Sequence, residues 1–140
     1  MSATELQTTP KAGDWSVNEI LAHLRSCADV WGDCIAVMLA EDYSAIRPTI
    51  RAVNPRTWIE RTDYRKQKFS ASFEVFRKQR AELLARLKKL PNKSWTRKAL
   101  VTGAGKPLER TVQFYAQWLA KHERTHVKQV ARIAGRTGKK

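Results

Sequence analysis

Apolar residues recur at helical spacing from Val17 through Ile20, Leu21, Leu24, Ala28, Trp31, Ile35 and Met38, predicting one long helix carried to about Ala40. Ser16 followed by Glu19 reads as a capping box at its start. A second stripe, Phe69, Phe73, Phe76, Leu83, Leu87 and Leu90, predicts a helix over about 67–90 that Pro91-Asn92 ends. Arg80 stands in that stripe where an apolar residue is expected. A third stripe, Phe114, Tyr115, Trp118, Leu119, Val130 and Ile133, predicts a helix capped by Thr111 and ended by Gly135. Pro48 and Pro55 exclude a long helix in between, and Asn54-Pro55 reads as the cap and first residue of a short helix through Arg61. The linker "PNKSWTRKALVTGAGKPLER" carries two glycines and two prolines, and no strand-like alternation is visible. The pattern predicts an all-α bundle of three long helices plus a short one. A single domain over 1–134 and a basic flexible tail over 135–140 follow from it.

Composition adds limits. At 140 residues and 42% hydrophobic, the chain suits one globular domain with its own core. The longest uninterrupted apolar run, "CIAVMLA" at 34–40, is far short of a bilayer span, so no membrane partner is expected. The start "MSATELQTTPKAGD" lacks the basic and apolar stretches of a secretory signal, which makes a cytoplasmic location the expectation. Cys27 and Cys34 lie seven residues apart, about 10 Å of rise on one helix. That is too far for a disulfide, and both read as small buried residues.

The net charge of +14 is unevenly spread. Residues 1–42 hold two basic and seven acidic groups, whereas 61–98 hold thirteen basic and three acidic. Such a balance suits either an anionic partner, nucleic acid included, or a solvated helix face. Interleaved surface aromatics and zinc-finger spacings are both absent, which favours the solvated face.

The chemistry lies in three histidines. His122 and His126 stand one turn apart on the apolar face of the last long helix, and His23 stands beside the apolar stripe of the first. A single inward histidine is most often a hydrogen-bonded core residue. Three together are costly to bury without partners, and one shared divalent ion satisfies them all. Three neutral nitrogens with an open fourth position describe a catalytic or transfer site. Imidazole suits Zn, Ni, Fe and Cu.

"HERTH" at 122–126 also matches the H-E-x-x-H pattern of zinc proteases. Those enzymes need a further ligand downstream, and none of the fourteen residues after His126 is His, Asp or Glu. A minimal zinc protease therefore ranks below the alternatives.

Three blocks carry a family resemblance: "GDWSVNEILAHL" at 13–24, the region 54–87 beginning "NPRTWIERTDYR", and "GKPLERTVQFYAQWLAKHERTHVKQV" at 105–130. In their order and spacing the chain resembles the DinB/YfiT-like superfamily of metal-binding helical bundles over about residues 5–134. The W-S-x-x-E-x-x-x-H-L opening and the H-x-x-x-H-x-x-Q closing are the most specific elements. The resemblance implies a metal triad of His23, His122 and His126, holding Zn or Ni foremost and Fe or Mn behind them. Glu123 stands where many members carry Asp, and Gln129 matches the family's glutamine as a support for the site or as structure. Members with known activity include thiol-dependent S-transferases using low-molecular-weight thiols such as bacillithiol or mycothiol, and a thiol-dependent isomerase. Others are described as metal-dependent hydrolases. A small-molecule substrate is implied.

Candidate catalytic groups follow. Glu19, one turn before His23, is a base or a support for the site, or simply the partner of Ser16 in the capping box. Glu123 is a second carboxylate near the site or a solvated one. Arg80 meets an anionic substrate group or pairs with a carboxylate of a neighbouring helix. Cys27, one turn after His23, reaches the metal or packs in the core. Tyr64 and Trp58 are candidates for the mouth. Only fourteen residues precede Trp15, so most of the family's N-terminal helix is expected to be missing; either residues 43–66 fill the gap or a second subunit covers it, and a homodimer is the favoured expectation. The competing reading is a basic, non-catalytic binding protein with a structural metal.

Overall fold

The computed structural model describes residues 1–9, 14–40 and 48–137. In chain order it contains α1 (Ala3–Gln7), α2 (Val17–Met38), β1 (Thr49–Arg51), α3 (Pro55–Ile59), α4 (Phe69–Lys88), β2 (Lys98–Thr102), β3 (Leu108–Thr111) and α5 (Val112–Thr137). Short 3-10 turns at Tyr64–Lys66 and Asn92–Thr96 lead into α4 and β2.

The helix starts follow their sequence signals. The Ser16 hydroxyl accepts from Glu19 N and the Glu19 carboxylate accepts from Ser16 N, each at 3.1 Å, closing the capping box of α2. Asn54 caps α3 with Pro55 at its first position, and Thr111 Oγ1 accepts from Phe114 N at 3.1 Å to start α5. Gly135 does not end α5, which continues to Thr137. A glycine stops a helix by turning to positive φ, and among the described residues only Gly103 and Gly105 do so. The tail expected over 135–140 therefore begins inside this helix, and 138–140 lie outside the described residues.

One further expectation is corrected. The chain is mostly helical but not strictly all-α, because β1, β2 and β3 form a three-stranded sheet. β1 pairs parallel with β2 through Ile50↔Val101, and β2 pairs antiparallel with β3 through Leu100↔Glu109. Ala99 and Val101 point inward and are buried, while the hairpin turns through Gly103 (φ 87°) and Gly105 (φ 82°). Ahead of α2 stands only the five-residue α1, whose Leu6 packs with Val17, Ile20 and Leu24.

α2 is the central strut. Ile20, Ile35 and Met38 are fully buried along it, each burial contributing about 1.5–3 kcal/mol. One core cluster joins the end of α2 to the sheet and to Val112, Tyr115 and Leu119 of α5. The other joins the start of α2 to Ile133. The histidines lie between these two clusters. α4 packs Phe69, Phe76, Leu83 and Leu87 against these clusters and is also tied by polar contacts: Arg25, 5% exposed, donates to Gln67 Oε1 just before the helix at 2.6 Å and to Ser72 Oγ within it at 2.9 Å.

Candidate metal centre

α2 and α5 pack against one another and bring the three histidines together. One nitrogen from each of His23, His122 and His126 lies within 4.8 Å of the others, and all three residues are half-buried. His23 Nε2 and His122 Nε2 are 3.0 Å apart. The ring centroids are 4.9 Å apart for His23–His122, 5.0 Å for His23–His126 and 4.6 Å for His122–His126. Trp15 stacks parallel to His126 at 6.3 Å, and Trp31 meets His122 edge-on at 5.1 Å. Indole rings therefore wall the cluster at both ends.

Protonation favours ligation. Burial, with the charge of His126 adding to it, lowers His23 and His122 to about 4, so both are neutral imidazoles at pH 7. His126 Nδ1 lies 2.9 Å from Gln129 Oε1, an acceptor that keeps the proton on Nδ1 and leaves Nε2 a lone pair. His122 Nδ1 is buried with no hydrogen-bond partner. The neutral imidazoles of His23 and His122, facing one another Nε2 to Nε2 with His126 beside them, fit a divalent cation and are poorly satisfied without one.

Each sequence candidate has a definite position. Glu19 lies with His23, Trp15, Arg56 and Glu60 around a cavity of about 330 Å³, its carboxylate held by Ser16 N. Glu123 does not face solvent; its carboxylate takes both arms of the Arg80 guanidinium. The two side chains are 16% and 20% exposed. Arg80 thus fills the gap in the α4 stripe by crossing to α5. Cys27 Sγ is 3.7 Å from His23 Nε2 and 3.9 Å from His122 Nε2, and burial followed by the charge of Glu123 pushes its thiol up to about 12.

Trp58 and Tyr64 turn away from the histidines. Trp58 Nε1 and Tyr64 OH donate to Asp29 Oδ2 at 3.0 and 2.6 Å, and Gln79 Nε2 donates to Asp29 Oδ1 at 3.0 Å. That carboxylate, which the apolar pattern did not single out, ties α3 and α4 to α2. Arg56 is also new: it lines the cavity beside His23, and only its place in α3 after Asn54-Pro55 hinted at a fixed position. A smaller cavity, about 220 Å³, reaches His122 and His126 from the side of Trp118.

The fold and the site define a class: a helical bundle with a three-histidine cluster where its two longest helices meet. The chain belongs to the DinB superfamily, whose family model matches residues 1–130. Among solved structures it is similar to YfiT from Bacillus subtilis, described as a probable metal-dependent hydrolase with an unusual four-helix bundle topology. The TM-score is 0.76 at 19% identity, covering 99% of this chain and 75% of that one, a likeness of fold. No curated protein matches the chain. No helix among the described residues is long and apolar enough to cross a membrane.

Proposed function

We propose that the protein is a divalent-metal-dependent enzyme acting on a small molecule, either as a hydrolase or as a thiol-dependent transferase. The observation that carries this reading is the convergence of three imidazoles from α2 and α5 within 4.8 Å. His23, His122 and His126 would hold the ion, with Zn or Ni foremost. Such an ion lowers the pKa of a bound water or holds a thiolate ready for attack.

The chain's own residues prepare this chemistry. Gln129 sets the tautomer of His126, and Trp15 and Trp31 pack against the imidazole cluster from two sides. The Arg80–Glu123 pair fixes α5 against α4, so these two residues position the site rather than react. Glu19 is the carboxylate placed to exchange a proton at the mouth of the cavity it shares with His23. Arg56 gives that cavity a cation suited to an anionic substrate group.

The reading is tested by assaying metal-loaded wild-type protein against a panel of esters and amides, and against an electrophile with low-molecular-weight thiols. Turnover that follows metal occupancy and is lost in His126→Ala supports it. Turnover indifferent to both chelation and His126→Ala contradicts it.

A further inference from the structure

Two packed helices each present a pair of donor residues one turn apart: His23 and Cys27 on α2, His122 and His126 on α5. Cys27 is 1% exposed, and its sulfur sits 3.7 and 3.9 Å from the facing Nε2 atoms of His23 and His122. With metal–nitrogen bonds of about 2.0–2.1 Å and a metal–sulfur bond of about 2.3 Å, a tetrahedral shell spaces nitrogen and sulfur roughly 3.5 Å apart. Those three atoms therefore already stand close to the edge lengths of one coordination shell. Cys34 is the contrast. It is 7% exposed in the cluster with Ala99, Val101 and Tyr115, and its thiol interacts with the Tyr115 hydroxyl, away from the histidines.

We propose that Cys27 is a fourth ligand, so that the resident ion is held by three imidazole nitrogens and one thiolate. This deepens the three-histidine reading and rests on it. On binding, the Cys27 S–H bond breaks, a sulfur–metal bond forms, the proton leaves to solvent, and no electron changes hands. The thiolate biases the centre toward thiophilic ions such as Zn, Co, Ni and Cu and away from Mg, Ca and Mn. It also removes one unit of the ion's positive charge from the half-buried site.

Cobalt(II) titration of the metal-free protein tests this by absorption. The expected result is one cobalt per chain, with ligand-field bands in the visible and a sulfur-to-cobalt charge-transfer band in the near ultraviolet. Cys27→Ser should lose the charge-transfer band while still binding cobalt, and Cys34→Ser should keep it. Should Cys27→Ser fold poorly, X-ray absorption at the cobalt edge of the wild type decides between one sulfur with nitrogen neighbours and light atoms alone. Bound cobalt with no charge-transfer band and only light neighbours overturns the fourth ligand and leaves the three histidines standing. A band that survives in Cys27→Ser overturns it as well. No cobalt bound to the wild type overturns both.

Discussion

Arg80 on α4 reaches Glu123 on α5 with both arms of its guanidinium, and Glu123 immediately follows the metal-ligand candidate His122. Both side chains are mostly buried, so removing one partner strands the other's charge. Arg80→Ala is expected to destabilise the protein by about 2 kcal/mol, less than a fully buried pair because water still reaches both groups. Urea denaturation measures this. The double change Arg80→Met with Glu123→Leu should recover most of the loss, because no lone charge remains.

Gln129 has a narrower effect. By accepting from His126 Nδ1 it fixes which nitrogen carries the lone pair. Gln129→Leu is expected to weaken zinc affinity about 10- to 100-fold with little change in folding stability. Competition with a chromophoric chelator checks it, and unchanged affinity would make Gln129 purely structural.

Acid should weaken the metal-free protein. Burial holds His23 and His122 at about 4, against 6.5 for a free histidine. Below about 6.5 the unfolded chain binds protons at these positions that the folded chain refuses until about 4. Stability is thus full above that window and falls as pH drops through it. Denaturant midpoints between pH 7 and pH 4 should decline in the wild type and decline less in His23→Leu. Equal slopes for the two would contradict the assignment.

Apolar surface remains on α4 and α5. Phe73, Val75, Leu84 and Trp118 are between 44% and 48% exposed, and Val127 is 60% exposed. We propose that a second copy of the chain covers part of this surface. Light scattering at micromolar concentration should then give twice the 16.1 kDa chain mass. A monomer overturns the proposal.

The helices were legible because their signals are local. Ser16 with Glu19, Asn54 with Pro55, and Thr111 each announce a start that the backbone adopts. The inward histidines were legible because helical spacing alone places them beside Ile20 and Leu119. The sheet was not. β1 is three residues long, and β2 shows its alternation at only Ala99 and Val101, within a stretch otherwise rich in glycine and proline. Pairing β1 with β2 spans about fifty residues, which no local pattern records. Periodicity also overreached at Phe114 and Trp118, read as inward but 36% and 44% exposed, because it marks a face without saying whether anything covers it. Arg80 signalled its importance by interrupting a stripe, yet its partner lay forty-three residues away on another helix.

The proposed ion among His23, His122 and His126 is directly observable. Anomalous difference density from crystals grown with zinc, collected on both sides of the zinc edge, tests it most directly. One peak per chain is expected, within bonding distance of all three imidazoles and absent below the edge. Well-ordered rings with no peak between them at saturating zinc would contradict it.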